Sequence, residues 1–544
     1  MKKFLRFKKE FILLLIIIVL ASFLRLYNLG NVPTGMTDDE IRETYTAYSI
    51  AHTGKDVFGN FLPVVFKIDG ASTWGPVLVY IKTPFSLLLP LNSFTARFPY
   101  ALAAIFSVIL FYFIVKKLFN DKIAIASSFA LSASVWQIQL ARFVIEADIS
   151  LTLYLLGIFI YLYSKNKTRF IVLSMVVFFL AFYGYSAFKI FFLPLMLILA
   201  WYKFKELGKK HLLIVLTTVL LAFGSYGFLS ITQNAASYVS PGGVPFFFLD
   251  KQKTSLSVEL ERRASNEPQI IETLYHNKFT YWFRIAATNY LTAFSPQYLF
   301  LDQEASGIYS IWGRGEMYIF ELPLLIFGFL YLFTKKRKEF YLVLLLLLIS
   351  PLPSALGVGT PTWTSRSAFM VFWLYVFVGA GIYYLITGFK KLRFRYLVLA
   401  IVLILYTYSV IGYLMQYYYD WSRVNSKYFA TTTKDLVYTT NKYIKEGKKV
   451  IISGVRPVEF LHFAFYNKID PKIVQSKINQ FPIEFDNVTL TKECFISSSK
   501  NPYELIQPNT VYISNVSCKY KEKPVSKITT YKNEEVMWNI YLKQ

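Results

Sequence analysis

Long apolar stretches, separated by short bursts of basic residues, constrain this chain more than any other feature of its sequence. After an apolar run at Phe11–Leu24, further stretches fall near 97–115, 123–141, 148–164, 170–184, 187–203, 211–230, 318–334, 339–353, 368–389 and 396–414. Each is about long enough to cross a hydrocarbon core of roughly 30 Å. Composition agrees: of 544 residues, 55% are apolar, 19% aromatic and 17% charged, where soluble domains average about 45–50% apolar and about 25% charged. Disorder, a collagen-like fibre and a disulfide-stapled mini-protein are excluded. The formal charge of +25 would suggest nucleic acid if the basic residues formed one patch. They are instead dispersed between apolar runs, as in a polytopic membrane protein, and no nucleic-acid partner is expected.

The basic clusters set the expected topology. One precedes the first run (Lys2, Lys3, Arg6, Lys8, Lys9). Five more join alternate pairs of stretches, at Lys116/Lys117/Lys122, Lys165/Lys167/Arg169, Lys203/Lys205/Lys209/Lys210, Lys335/Lys336/Arg337/Lys338 and Lys390/Lys391/Arg393/Arg395. Under strict alternation all six lie on one side, which the positive-inside rule makes cytoplasmic. The expectation is an all-α polytopic protein of the plasma (inner) membrane with about eleven spans, N-terminus in and C-terminus out. No small-x-small cleavage site follows the first run, so it reads as an uncleaved helix. Trp74–Leu91 is apolar but broken by Pro76, Pro84 and Pro90, and contains Lys82. Counting it as a span would invert every later cluster, so it reads as helices in or on the outer leaflet.

Two domains are expected: a membrane domain over 1–416, with outer loops at about 28–96 and 231–317, and an extracytoplasmic α/β domain over 417–544. The latter lacks any span-length apolar run. Lys434–Glu446 has helical spacing there, and Val450–Ile452 and Val511–Ser514 read as strands. Both cysteines, Cys494 and Cys518, lie in this domain. An oxidising compartment permits their pairing, but spacing alone leaves disulfide and free thiols open.

In the membrane half, carboxylates away from the basic clusters all fall in or beside outer-face segments, and none is expected mid-span. Ion-coupled transporters usually keep ionisable groups near the midplane, so their absence points to surface chemistry. Asp38, Asp39, Glu40, Glu43, Asp56 and Asp69 crowd the first outer loop. Thr37 or Asp38 is a candidate N-cap for a helix beginning near Ile41, with the other acids favoured by its dipole. A carboxylate placed there is equally suited to take a proton from an attacking hydroxyl. In the next outer loop Arg142 and Glu146 stand at i, i+4 spacing, followed by Asp148. A local ion pair is the simplest account of them.

These residues resemble a known family. Asp39-Glu40, after one N-terminal helix, resembles the Asp-Glu motif of GT-C glycosyltransferases, and more closely the protein O-mannosyltransferase and aminoarabinose transferase superfamily, glycosyltransferase family 39. Supporting stretches are Ala47–Ile50 with Thr53–Asp56, Gly75–Tyr80, Arg97-Phe98-Pro99, Ser134-Val135-Trp136 leading to Ala141-Arg142-Phe143 and Glu146, and Glu321-Leu322-Pro323. Their order over about 400 residues carries the match, and 417–544 lies outside it. The resemblance implies transfer of a sugar from a polyprenyl-phosphate carrier to a protein, lipid or glycan acceptor at the outer membrane face. It makes Asp39 the catalytic carboxylate, Glu40 a neighbour orienting substrate, and Glu146 a second acid, with Asp148 competing for that last place. The chain departs from relatives acting on lipid A, which carry an acidic residue and a lysine before a Pro-Pro pair where Ser72-Thr73-Trp74-Gly75-Pro76 stands. Lys189 replaces a frequent arginine, keeping charge without the bidentate fork.

A lipid-phosphate leaving group needs no nucleotide site, and no Walker-type or dinucleotide glycine loop is present. It does need nearby cations. Arg97, Arg142, Lys189, Arg284 and Arg366 are the outer-side candidates, each with snorkelling as the alternative. No cofactor is required by the pattern; a divalent metal is compatible with it, and His276 is the lone histidine worth weighing as a ligand. The alternative function is a non-catalytic flippase or export subunit for lipid-linked glycans, which would need a polar path through the bilayer.

Overall fold

The computed structural model describes residues 2–68, 72–165, 167–232, 251–302, 308–357, 364–497, 500–531 and 535–542. Asp69 lies outside them, as do 233–250 and 303–307 of the long loop.

Helices occupy nearly every expected apolar stretch. In order they are α1 (Lys2–Leu26), α2 (Asp38–Thr53), α3 (Pro76–Leu88), α4 (Ser93–Leu118), α5 (Asp121–Ser132), α6 (Val135–Leu140), α7 (Glu146–Tyr163), α8 (Thr168–Phe182) and the long α9 (Lys189–Thr232). Further helices span Lys251–Ala264, Gln269–Tyr275, Lys278–Thr292, Glu321–Lys335, Arg337–Ile349, Met370–Gly388 and Leu392–Met415. Among the described residues, seven helical segments are long and apolar enough to cross a membrane, against the eleven expected. The shortfall has local causes. The stretch 123–141 is two helices: α5 ends at Ser132, and the Ser134 hydroxyl caps α6 by accepting from the Gln137 N–H. Helices α8 and Glu321–Lys335 have only 15 residues each. The spans expected at 187–203 and 211–230 are both among the seven, joined in α9 across a kink at Gly208, whose φ of +63° side-chain-bearing residues rarely adopt.

The chain forms two compact units. The first comprises residues 1–27, 70–78 and 100–413; the second comprises 28–69, 79–99 and 414–544. The expected 1–416/417–544 division differs from this, because residues of the first outer loop cluster with the C-terminal segment. In the first unit, helices approach closely through glycines. A Cβ on Gly381 would lie 1.9 Å from the Leu324 carbonyl oxygen, and one on Gly379 2.1 Å from Ser127 Oγ. Helices packed this tightly gain dispersion contacts that an apolar solvent does not otherwise supply.

The second unit holds a six-stranded sheet made of β3 (Lys449–Ser453), β4 (Ile483–Phe485), β5 (Val488–Thr491), β6 (Thr510–Asn515), β7 (Ser526–Thr529) and β8 (Val536–Leu542), after two three-residue strands, β1 (Phe66–Ile68) and β2 (Ser72–Trp74), elsewhere in the chain. Strand order is β4-β5-β3-β6-β8-β7, with β3 parallel to both β5 and β6 and the outer pairings antiparallel. Val450, Ile452, Val511 and Ile513 are buried at its centre. The helix Thr431–Lys445 and the strands β3 and β6 coincide with the three elements expected from the sequence. Cys494 and Cys518 form a disulfide across 24 residues, which resolves the open pairing.

Candidate functional site

Three consecutive carboxylates open α2, and the structure gives them different surroundings. Thr37 is the N-cap: its hydroxyl accepts from the Glu40 N–H (3.1 Å) while Glu40 Oε2 accepts from the Thr37 N–H (2.9 Å). This capping box satisfies two orphan donors and turns Glu40 inward. There it meets Arg97, whose Nε donates to Oε1 (2.9 Å) and Nη2 to Oε2 (3.2 Å), with both side chains fully buried. The same guanidinium donates to the carbonyls of Leu29, Pro33 and Gly35. All five N–H groups of Arg97 therefore have acceptors, and the loop entering α2 is pinned to its first turn.

One position along, Asp39 is exposed. Asp38 turns to the C-terminal segment, where Arg456 Nη2 lies 2.9 Å from Oδ2 and His462 Nε2 lies 3.2 Å from Oδ1. Burial alone would push the Asp38 carboxyl up. The hydrogen bond and charge of His462, then Arg456 and Arg42, outweigh it and bring it down from 3.8 to about 2. Deeper in α2, Glu43 lies 3.6 Å from the ammonium of Lys82, which also donates to Thr44 Oγ1 (2.8 Å); both charged side chains are buried. This pairing accounts for a lysine inside apolar α3. Helix α2 is held further by Tyr45 donating to the Ile469 carbonyl (2.5 Å) and by Gln475 donating to Ser49 and Thr53 (2.9 Å each).

In the other unit, Glu146 begins α7, half-buried, and accepts from the Gly75 N–H at 3.3 Å. Gly75 reaches it only because it lacks a side chain: a Cβ would sit 1.9 Å from the Gly184 carbonyl oxygen. The charge of Glu146 acts on Lys189 and Tyr185, and Tyr185 also feels Arg366. The Tyr185 hydroxyl is 3.3 Å from Ser365 Oγ, and the Lys189 ammonium lies 4.5 Å from the Tyr226 ring centroid. Glu146, Tyr185, Lys189 and Arg366 thus form one polar group. Asp148, two residues along, is buried near Arg25. Arg142 is fully buried and donates to the carbonyls of Leu24 and Arg25. Arg284 pairs with Glu261 at an exposed position, and His276 Nδ1 lies 3.3 Å from the same carboxylate.

Among the described residues no three His, Cys, Asp or Glu side chains converge as a metal site. Asp38, Glu40 and Glu43 each oppose a cation instead. No step below is routed through a metal ion. Nothing in the sequence singled out Arg456 or His462, which lie more than 400 residues from Asp38 in a segment outside the family resemblance. Lys82 did carry one, as a charge in an apolar helix.

The architecture is the GT-C fold of membrane glycosyltransferases. Over 94% of its length the chain superposes on archaeal oligosaccharyltransferase AglB from Archaeoglobus fulgidus, solved with an inhibitory peptide and a dolichol-phosphate. The TM-score is 0.50 at 13% identity, covering 70% of that chain. Another structure of the Archaeoglobus fulgidus oligosaccharyltransferase, with zinc and sulfate, aligns at TM-score 0.51 and 12% identity over 93% of this chain and 68% of that one. By sequence the chain is 30% identical over 138 residues to a protein named as a mannosyltransferase, YkcB, of Bacillus subtilis strain 168. That match covers 25% of this chain and 18% of the relative, so it spans less than a fifth of the relative's length. No protein-family model matches the chain.

Proposed function

We propose that the protein is a membrane glycosyltransferase that moves a sugar from a polyprenyl-phosphate donor to a hydroxyl-bearing protein, lipid or glycan acceptor at the outer membrane face. The observation that carries this reading is the division of labour at the start of α2. Glu40 is buried on Arg97 and Asp38 is held by Arg456 and His462, while Asp39 is exposed at a helix N-terminus. The fold shared with AglB, a protein solved with a dolichol-phosphate, supports a lipid-phosphate donor. The disulfide in the C-terminal segment supports its placement on the oxidising side.

Asp39 acts as general base. It takes the acceptor hydroxyl's proton as that oxygen bonds to the anomeric carbon, and the bond from that carbon to the phosphate oxygen breaks with its electron pair leaving on the polyprenyl phosphate. A single displacement inverts the anomeric centre. Lys189 and Arg366, with Glu146 and Tyr185, form a cationic group within the other compact unit that is suited to a phosphate. Glu40 and Arg97 hold the loop and helix start in register, and Arg142 fixes backbone at the end of α1. Arg284 belongs to a local pair with Glu261.

The class is tested with purified protein in nanodiscs and a panel of polyprenyl-phosphate sugars. Cleavage of at least one donor, with free polyprenyl phosphate as product, is the expected outcome. Translocation of an intact lipid-linked sugar in proteoliposomes, with no donor cleaved, would establish the export reading instead.

A further inference from the structure

The contact between the first turn of α2 and the C-terminal segment has no role in the chemistry above. Arg456 and His462 converge on Asp38 from the helix Pro457–Asn467 and its N-cap. Arg456 is itself fixed: Glu459 Oε2 accepts from its backbone N–H (2.7 Å), and Oε1 accepts from Nη2 (2.7 Å) and Nε (3.1 Å). His462 is fully buried, and its Nδ1 has no hydrogen-bond partner. An unpartnered buried ring nitrogen costs stability, so a gain elsewhere must retain an imidazole at this position. Its Nε2 meets the carboxylate of Asp38.

The route that delivers Arg456 is equally rigid. Strand β3 ends at Ser453, and Gly454 turns the chain at φ +76°. A Cβ on Gly454 would come within 2.7 Å of Asn515 Cβ, 3.3 Å of Ser517 Oγ and 3.6 Å of Cys518 Sγ. The Cys494–Cys518 disulfide therefore lies over the turn that carries Arg456. Sheet, turn, arginine and helix form one continuous support ending on the residue next to Asp39.

We propose that Arg456 and His462 are positioning residues of the sugar-transfer reaction: by clamping Asp38 they fix the first turn of α2 and orient the adjacent Asp39 carboxylate. The C-terminal segment then has a part in catalysis through geometry, without touching substrate. Supporting shells of this kind matter because displacing a reacting group by about 1 Å can cost roughly 100-fold in rate.

This inference rests on Asp39 being the base, so the experiment carries Asp39→Asn beside His462→Ala, His462→Gln, Arg456→Ala and Arg456→Lys in full-length protein in nanodiscs. The readouts are kcat and KM with the polyprenyl-phosphate sugar that wild type cleaves, and hydrogen exchange of the Glu40 and Ile41 amides, which bond to Thr37. His462→Ala and Arg456→Ala are expected to lose roughly 10- to 100-fold in kcat with donor KM within about twofold, and to speed exchange at those two amides. His462→Gln, which keeps a donor at the reach of Nε2, is expected to recover most of both. Arg456→Lys recovers less, since one ammonium cannot serve Asp38 and Glu459 as the guanidinium does. Unchanged kcat and exchange in folded His462→Ala and Arg456→Ala, with Asp39→Asn inactive, would overturn the inference alone. An active Asp39→Asn would overturn the reading of Asp39 beneath it. Failure of His462→Gln to recover a folded, inactive His462→Ala would mark the histidine's role as packing.

Discussion

At the scale of residues, Thr37-Asp38-Asp39-Glu40 shows how one short run serves two purposes. From sequence, a helix cap and a catalytic cluster are competing readings; in the structure Thr37 and Glu40 form the cap, and Asp39 remains exposed. The cap was legible because capping chemistry is local. The partners of the other acids were not, because Arg97, Lys82, Arg456 and His462 arrive from distant parts of the chain. Removing one partner of a buried pair leaves the other uncompensated, at a cost of about 3–5 kcal/mol. Arg97→Ala is therefore expected to lower the thermal midpoint of the solubilised protein sharply, while exposed Asp39→Asn leaves it nearly unchanged. A differential scanning trace of each checks this. Asp38 gives a pH signature. Its folded pKa of about 2 lies below the 3.8 of an ordinary aspartate, so ionised Asp38 stabilises the fold above about pH 4 and loses that contribution as pH falls through about 2. The wild-type advantage over Asp38→Asn in thermal midpoint is expected to be full at about pH 6 and to shrink steadily below about pH 4. An advantage that grows on acidification would contradict the assigned ion pairs.

At the scale of elements, periodicity and apolar runs placed most helices, and failed where a break is set by one or two residues. Ala133-Ser134 divides α5 from α6, and Gly208 kinks α9. The first does not interrupt the apolar composition, so a reading by hydrophobicity passes over it; the second falls inside the Lys203/Lys205/Lys209/Lys210 cluster, where composition shows a break between spans but not that the helix runs on through it. Helix α3, at 13 residues, is about 20 Å long and short of a roughly 30 Å core. Strands β3 and β6 were legible as apolar runs, whereas β7 and β8 were not singled out. The disulfide belongs to this scale. A bridge across 24 residues is worth about 3 kcal/mol through the unfolded chain's entropy. Cys494→Ser with Cys518→Ser is expected to make 417–544 open more readily, read as faster exchange of the β3, β5 and β6 amides. Unchanged exchange would show that the sheet needs no staple.

At the scale of the whole molecule, the order of weak motifs over about 400 residues pointed to the GT-C fold before any geometry was known, and superposition on AglB agrees at the level of fold. The division of the chain was not legible, because residues 28–69 and 79–99 cluster with 414–544 only through tertiary contacts. The proposed topology makes a direct demand. The described residues hold no free cysteine, so single cysteines placed at exposed Asn60, Lys336 and Lys519 report sidedness cleanly. Asn60→Cys and Lys519→Cys are expected to react with a membrane-impermeant maleimide in intact cells, and Lys336→Cys only after permeabilisation. Labelling of all three from outside would contradict the alternation of spans. The most direct test of the central claim compares wild type with Asp39→Asn, matched for thermal midpoint, on the same polyprenyl-phosphate sugar. Wild type is expected to cleave the donor, and the variant to lose that cleavage by a factor of about 100 or more. Equal cleavage by the two proteins would remove Asp39 as the base and contradict the site built here around the first turn of α2.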